Sequence, residues 1–123
     1  MANPNIINVT SIYGSTSYLI PSTTGATTWT ALTPASGTVN KIDNIVASNV
    51  TASVALITVA INSAAAGDGT NYRLIYQLPV PVNSSVVVVD KSTAFYLGEA
   101  QSIVITSGTA NAIEMTASYE AIT

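Results

Sequence analysis

Ile113-Glu114-Met115-Thr116-Ala117-Ser118-Tyr119-Glu120 alternates without a break. Ile113, Met115, Ala117 and Tyr119 fall on one side of an extended chain. Glu114, Thr116, Ser118 and Glu120 fall on the other. Successive side chains of a β-strand point to opposite faces, so this is a strand with one dry face and one polar face. Its neighbours extend it over residues 112–122.

Working back along the chain, strands and turns follow one another. Val, Ile, Thr and Tyr dominate the runs, and these residues suit a pleated surface. Residues 107–111 join the last strand to another at 101–106, and the two read as a pair. A brief strand at 93–97 ends at Gly98. Val86-Val87-Val88-Val89 is expected as a buried strand. Residues 72–78 form a strand, and Pro79 and Pro81 mark a sheet edge or exit because neither can donate to a ladder. Residues 64–71 are a loop, with Asp68-Gly69 as its turn dipeptide. Residues 38–48 and 53–62 are expected to form a hairpin around 49–52.

Trp29 is the only tryptophan of the chain. It lies between loops at 21–28 and 33–37 and is expected in the core. A short strand at 17–20 stops at Pro21. The first run, residues 5–13, ends at Gly14. Ile7, Val9 and Tyr13 occupy one of its faces, and Ile6 and Ile12 the other. A strand apolar on both faces is buried on both, and here a neighbouring subunit can supply the second cover. Ile6, Ile7, Val9, Ile12 and Tyr13 are therefore candidate interface residues, with residues 1–13 as an intersubunit strand.

Gly, Pro, Asn, Asp and Ser punctuate the runs about every 8 to 12 residues, the spacing of a sandwich or barrel. The pattern predicts an all-β fold: an antiparallel β-sandwich of about eight strands, with a jelly roll as its candidate topology. The 123 residues fit one domain over the whole length.

Composition narrows the function. Hydrophobic residues make up 48% of the chain and mean hydropathy is +0.45, so material for a core is ample. Only 7% of residues are charged, against about 25% in an average soluble domain. Ser, Thr and Asn fill about a third of the chain instead. A surface of hydroxyls, amides and methyls lets another protein approach closely, because few charges must be desolvated. The basic residues are Lys41, Arg73 and Lys91, and the net charge is −3. Direct nucleic-acid binding needs clustered cations and is not expected. Nor is a polybasic membrane contact. No apolar run approaches the length of a membrane span, about 20 residues. The start of the chain lacks the pattern of a signal peptide, and the expected folding environment is a cytoplasm.

Chemistry is sparse. The chain contains no His and no Cys, which removes the commonest general base, thiolate ligands and the Ser-His-Asp triad. The six carboxylates, Asp43, Asp68, Asp90, Glu99, Glu114 and Glu120, are scattered along the sequence. A glycosidase would need two of them across a cleft. Residues 67–69 lack the lysine of a phosphate loop and the carboxylates of a calcium loop. No enzyme activity, cofactor or metal is expected. Asn8-Val9-Thr10, Asn49-Val50-Thr51 and Asn83-Ser84-Ser85 match the N-glycosylation pattern, as chance allows in so polar a chain.

Four segments carry a family resemblance. They are Lys41-Ile42-Asp43-Asn44-Ile45-Val46-Ala47-Ser48-Asn49, Val88-Val89-Asp90-Lys91-Ser92, Phe95-Tyr96-Leu97-Gly98-Glu99-Ala100-Gln101-Ser102-Ile103 and Met115-Thr116-Ala117-Ser118-Tyr119-Glu120-Ala121-Ile122. The chain resembles small virion structural proteins of tailed bacteriophages, notably those infecting cyanobacteria. Those proteins show a V-D-K strand end, a Y-L-x-E-G-x-S-I strand entry and a closing S-Y-E-x-I strand. The present sequence departs at Gly98-Glu99-Ala100-Gln101, where the Gly and acidic positions are rearranged. The resemblance implies a virion part with no catalytic residues.

The expected function is a capsid decoration or cement protein that stabilises the head shell. A neck, tail or fibre component is the alternative. A carbohydrate-binding module is a third, with Tyr72, Tyr76 and Trp29 as its candidate aromatics. The expected partners are the major capsid protein or another virion protein, and further copies of the chain as a homo-oligomer. The expected location is the virion, assembled in the host cytoplasm.

Overall fold

The computed structural model describes residues 10–123. It is all-β: two antiparallel sheets packed as a sandwich. The strands are β1 (Ile12–Leu19), β2 (Thr27–Thr28), β3 (Val39–Asn49), β4 (Ala55–Asn62), β5 (Asn71–Val80), β6 (Ser85–Val89), β7 (Phe95–Leu97), β8 (Ser102–Ser107) and β9 (Ile113–Ile122). Two short 3₁₀ turns, Thr30–Leu32 and Lys91–Thr93, supply the helical content of the described residues. Sheet A runs β1-β9-β3-β6, with β7 also on β3, and sheet B runs β2-β8-β4-β5.

Strand order identifies the topology. With β7 set aside, the pairs β4·β5, β3·β6, β2·β8 and β1·β9 are those of one long antiparallel ribbon bent at its tip. Rolling that ribbon adds β3·β9 and β4·β8. The result is a jelly roll of eight strands plus the short β7.

The core lies between the sheets. Ile42, Ile45 and Ala47 of β3 and Ile113, Met115 and Ala117 of β9 meet Ile57 and Val59 of β4 and Ile103 and Ile105 of β8. Trp29 and Leu32 close one end, both buried. Trp29 is thus a core residue, as its sequence context suggests.

The structure corrects the expected connections. Residues 38–48 and 53–62 do not form a hairpin, because β3 belongs to sheet A and β4 to sheet B. Asn49 is the cause. Its buried amide donates to the carbonyls of Ser53 (2.7 Å) and Val80 (3.0 Å) and accepts from the Thr51 N–H (2.9 Å) and hydroxyl (2.7 Å). These bonds fix a turn that carries the chain to the other sheet. The strands at 101–106 and 112–122 are also split between sheets. The real hairpin is β4–β5, whose loop is wrapped around buried Asn62. That amide accepts from the N–H of Ala64 and Gly69 and donates to Asn71 Oδ1 (2.6 Å).

Three local expectations change. Gly14 ends no strand: β1 runs straight through it, pairing Gly14 with Glu120, and absorbs the separate strand expected at 17–20. Val86–Val89 is not buried on both faces, since β6 is a sheet margin and Val87 is 62% exposed. In the β4–β5 loop the positive φ belongs to Gly67 (80°). Gly69 is needed for space instead, because a Cβ there would collide with Ser63 Oγ and the Ala64 backbone. Pro79 does mark an edge: β5 is the last strand of sheet B.

Candidate functional site

Ile42 and Ile45 are both fully buried, yet they are three residues apart. A regular strand would send them to opposite faces. A bulge between Ile42 and Asn44, opposite Tyr119 and Ser118, reconciles them. It leaves the Ser118 N–H to be served by Asn44 Oδ1, at 3.2 Å. Bulges re-aim side chains, and this one sets Asp43 and Asn44 beside Lys41 in a groove on the outer face of sheet A.

The groove has a volume of about 730 Å³ and is also lined by Val46, Val87, Asp90, Lys91, Ala94, Ser118 and Glu120. It gathers Lys41, Asp43, Asp90, Lys91 and Glu120, five of the nine charged residues of the chain. Three acids that are far apart in sequence therefore share one surface feature, which the linear spacing did not reveal. Lys41 Nζ lies 3.8 Å from Asp43 and 3.9 Å from Glu120. Such long, half-exposed pairs contribute little to stability.

Asp90 has a structural task. Its carboxylate accepts from the Ser92 hydroxyl (2.6 Å) and the Ser92 N–H (2.9 Å), and Thr93 Oγ1 returns the favour to the Asp90 N–H with an acceptor at 3.0 Å. This is a capping box on the 3₁₀ turn Lys91–Thr93. The Ser92 hydroxyl, then the Ser92 N–H, hold the Asp90 carboxyl below its ordinary pKa. The acids of the groove are thus engaged by Lys41 or by the cap. No group of three or more His, Cys, Asp or Glu side chains among the described residues is placed to hold a metal ion.

Glu99 lies elsewhere. Its Oε2 accepts from the N–H of Gly37 at 2.7 Å and ties the 33–37 loop to the turn after β7. That turn is closed by Gly98 N–H to Gln101 Oε1 (2.8 Å) and Gln101 N–H to the Gly98 carbonyl (3.0 Å). The rearranged tetrad 98–101 is therefore a closed turn that Glu99 fastens to the 33–37 loop.

The aromatics named for carbohydrate binding are not brought together. Trp29 is buried. Tyr72 pairs opposite Ile61, whose side belongs to the core face, whereas Arg73 pairs opposite Ala60 on the outer face of sheet B. There the Arg73 guanidinium sits 5.0 Å from the centroid of the Tyr76 ring. Both border a shallow depression of about 170 Å³, with Asn71, Gln77, Thr58 and Thr106.

Of the candidate interface residues, Ile6, Ile7 and Val9 lie outside the described residues. Ile12 and Tyr13 are consecutive on β1, on opposite faces, and are 55% and 73% exposed. Of the three glycosylation-pattern asparagines, Asn49 is buried and committed to its turn.

No family model matches the chain, and no curated protein matches it. Among solved structures, the cryo-EM structure of the giant freshwater prawn Macrobrachium rosenbergii extra small virus (XSV) virus-like particle is similar, with a TM-score of 0.40 and 15% identity, over 96% of this chain and 85% of that one. So coarse a likeness fixes no function.

Proposed function

We propose that this chain is a non-catalytic structural subunit of a virus particle, working as a single domain over residues 1–123. In finer terms it is a decoration or cement protein on the head of a tailed bacteriophage, bound to the major capsid protein. One observation carries the reading. The jelly roll gathers five of its nine charges in one groove and leaves large apolar side chains, such as Tyr18 (80% exposed) and Tyr13 (73%), on a marginal strand that carries no charge. A monomer in free solution needs a mixed-charge surface. A subunit packed among neighbours does not, because few charges must be stripped of water at its contacts. The segment 1–13, with Ile6, Ile7, Val9, Ile12 and Tyr13, is one such contact, and its strength should vary little with salt.

The test is to measure copy number in purified particles by quantitative mass spectrometry and to map the chain in the intact particle. Hundreds of copies on the shell support the decoration role. A dozen or fewer, placed at the neck or tail, would move the chain to that alternative. Absence from particles would overturn the reading. Deleting residues 1–9 leaves every described strand intact and should lower incorporation if the segment is a contact.

A further inference from the structure

β1 forms one margin of sheet A, and among the described residues no strand lies on its outer side. Its pairing with β9 is regular from Ile12↔Ile122 to Leu19↔Met115. The phase of that ladder tells which backbone groups are free. Ser11 and Thr123 exchange both of their backbone hydrogen bonds, at 3.3 and 3.0 Å. Bonded and non-bonded pairs alternate along an antiparallel ladder. Tyr13, Ser15, Ser17 and Leu19 therefore turn their N–H and C=O towards β9. Ile12, Gly14, Thr16 and Tyr18 turn theirs outward, where no strand lies among the described residues.

Edge strands are normally protected by shortness, proline, charge or bulges. The other margins of this fold are. β2 has two residues and β7 has three. β5 carries Arg73, Pro79, irregular register and a positive φ at Gln77 (48°). β6 has five residues, and its register on β3 is also broken. β1 has eight residues with no proline, no charge and no bulge.

We propose that β1 is the pairing edge for a second copy of this chain, the two β1 strands running antiparallel about a two-fold axis at Ser15. This deepens, and rests on, the reading of the chain as one of many copies. The strand is self-complementary in that arrangement. Large residues stand at both ends, Ile12-Tyr13 and Tyr18-Leu19, around the small Gly14-Ser15-Thr16-Ser17. Pairing about Ser15 sets Ile12 opposite the partner subunit's Tyr18, and Gly14 opposite the partner subunit's Thr16. The two exposed side chains Ile12 and Tyr18 then cover each other on one face. The outward groups of both strands form about eight backbone hydrogen bonds. No charge is desolvated, and the two copies of sheet A become one continuous sheet.

The experiment is sedimentation velocity on the full chain from micromolar to hundreds of micromolar, with three variants. Thr16→Pro removes one outward N–H and no backbone bond to β9; the long, exposed Thr16 Oγ1 to Ser118 Oγ bond (3.4 Å) is lost in both Thr16 variants. Thr16→Lys places like charges close to the axis without a proline, and decides the matter if the proline variant does not fold. Ser15→Cys introduces the only thiol of the chain, on the axis, so any disulfide must join two copies. The expected result is a wild-type dimer, dimerisation weakened about tenfold or more in both Thr16 variants with far-UV circular dichroism unchanged, and a Ser15→Cys disulfide under mild oxidation. A monomer throughout, folded Thr16 variants that dimerise like wild type, or no disulfide would overturn the pairing. A β1-paired dimer absent from particles overturns the virion reading and leaves this one standing. A particle subunit with β1 unpaired does the reverse.

Discussion

Trp29 and Ser17 are joined across the sandwich: the indole Nε1–H donates to Ser17 Oγ at 3.0 Å. Ser17 belongs to β1 in sheet A, and Trp29 follows β2 in sheet B. The bond anchors an otherwise exposed strand to the core. Ser17→Ala leaves a buried indole N–H without its partner and should destabilise the fold by about 1–2 kcal/mol. Denaturant unfolding followed by fluorescence of the single tryptophan measures this directly. No change would mean that the bond is dispensable.

Asn49→Ala should be more damaging. The amide is 2% exposed and satisfies groups on two segments, the 50–54 turn and the end of β5. Removing it takes the donor from the buried Val80 carbonyl and the acceptor from Thr51, and should cost about 2–3 kcal/mol. Asn49→Asp keeps the acceptor for Thr51 but loses both donated bonds, so it should also destabilise. Thermal unfolding of the two variants against wild type tests the turn.

The register of β9 can be read by a pair of substitutions. Met115 is 1% exposed and packs in the core, so Met115→Ala should lose about 2–5 kcal/mol. Glu114 points to solvent, and Glu114→Ala should change stability by less than about 0.5 kcal/mol. A urea series that ranked them the other way round would refute the register.

Asp90 gives an expectation in acid. Its folded pKa lies below the ordinary aspartate value of about 3.9, because Ser92 favours the carboxylate. The unfolded chain therefore takes up the proton first as pH falls. The contribution of the cap is complete above about pH 4 and is lost as pH drops through the folded value. Asp90→Asn should have a flatter stability profile below about pH 4 than wild type. Parallel acid dependences in the two proteins would show that the cap does not stabilise the fold.

The sandwich was legible because β9 obeys a period of two without exception from Ile113 to Ala117, and because turn residues punctuate the rest. Pairing was not legible. Alternation tells which face a residue takes but not which strand lies beside it, so neighbours in sequence were joined into two hairpins, the first of which the Asn49 turn prevents. The bulge did leave a signal, in the three-residue spacing of Ile42 and Ile45. The valine run of β6 misled because hydrophobicity alone does not separate a central strand from a margin whose Val87 faces outward. The groove was hidden for the same reason as the pairing: Asp43, Asp90 and Glu120 meet only once β3 has found β9 and β6.

The ribbon that rolls into this fold joins its most distant parts first in space and last in time. Tyr18 pairs with Thr116, and Ile12 with Ile122. During synthesis β1 must wait, without its partner strand β9, until residues 113–122 have left the ribosome. Loop closure over such distances is slow, and strand pairing of this kind puts a chain at the slow end of two-state folding. On a crowded polyribosome a waiting β1 can meet the β9 of an adjacent nascent chain before its own has emerged. Exchange of the first strand between copies is the misfolding hazard this topology predicts, and the yield of folded chain should fall as the density of synthesis rises.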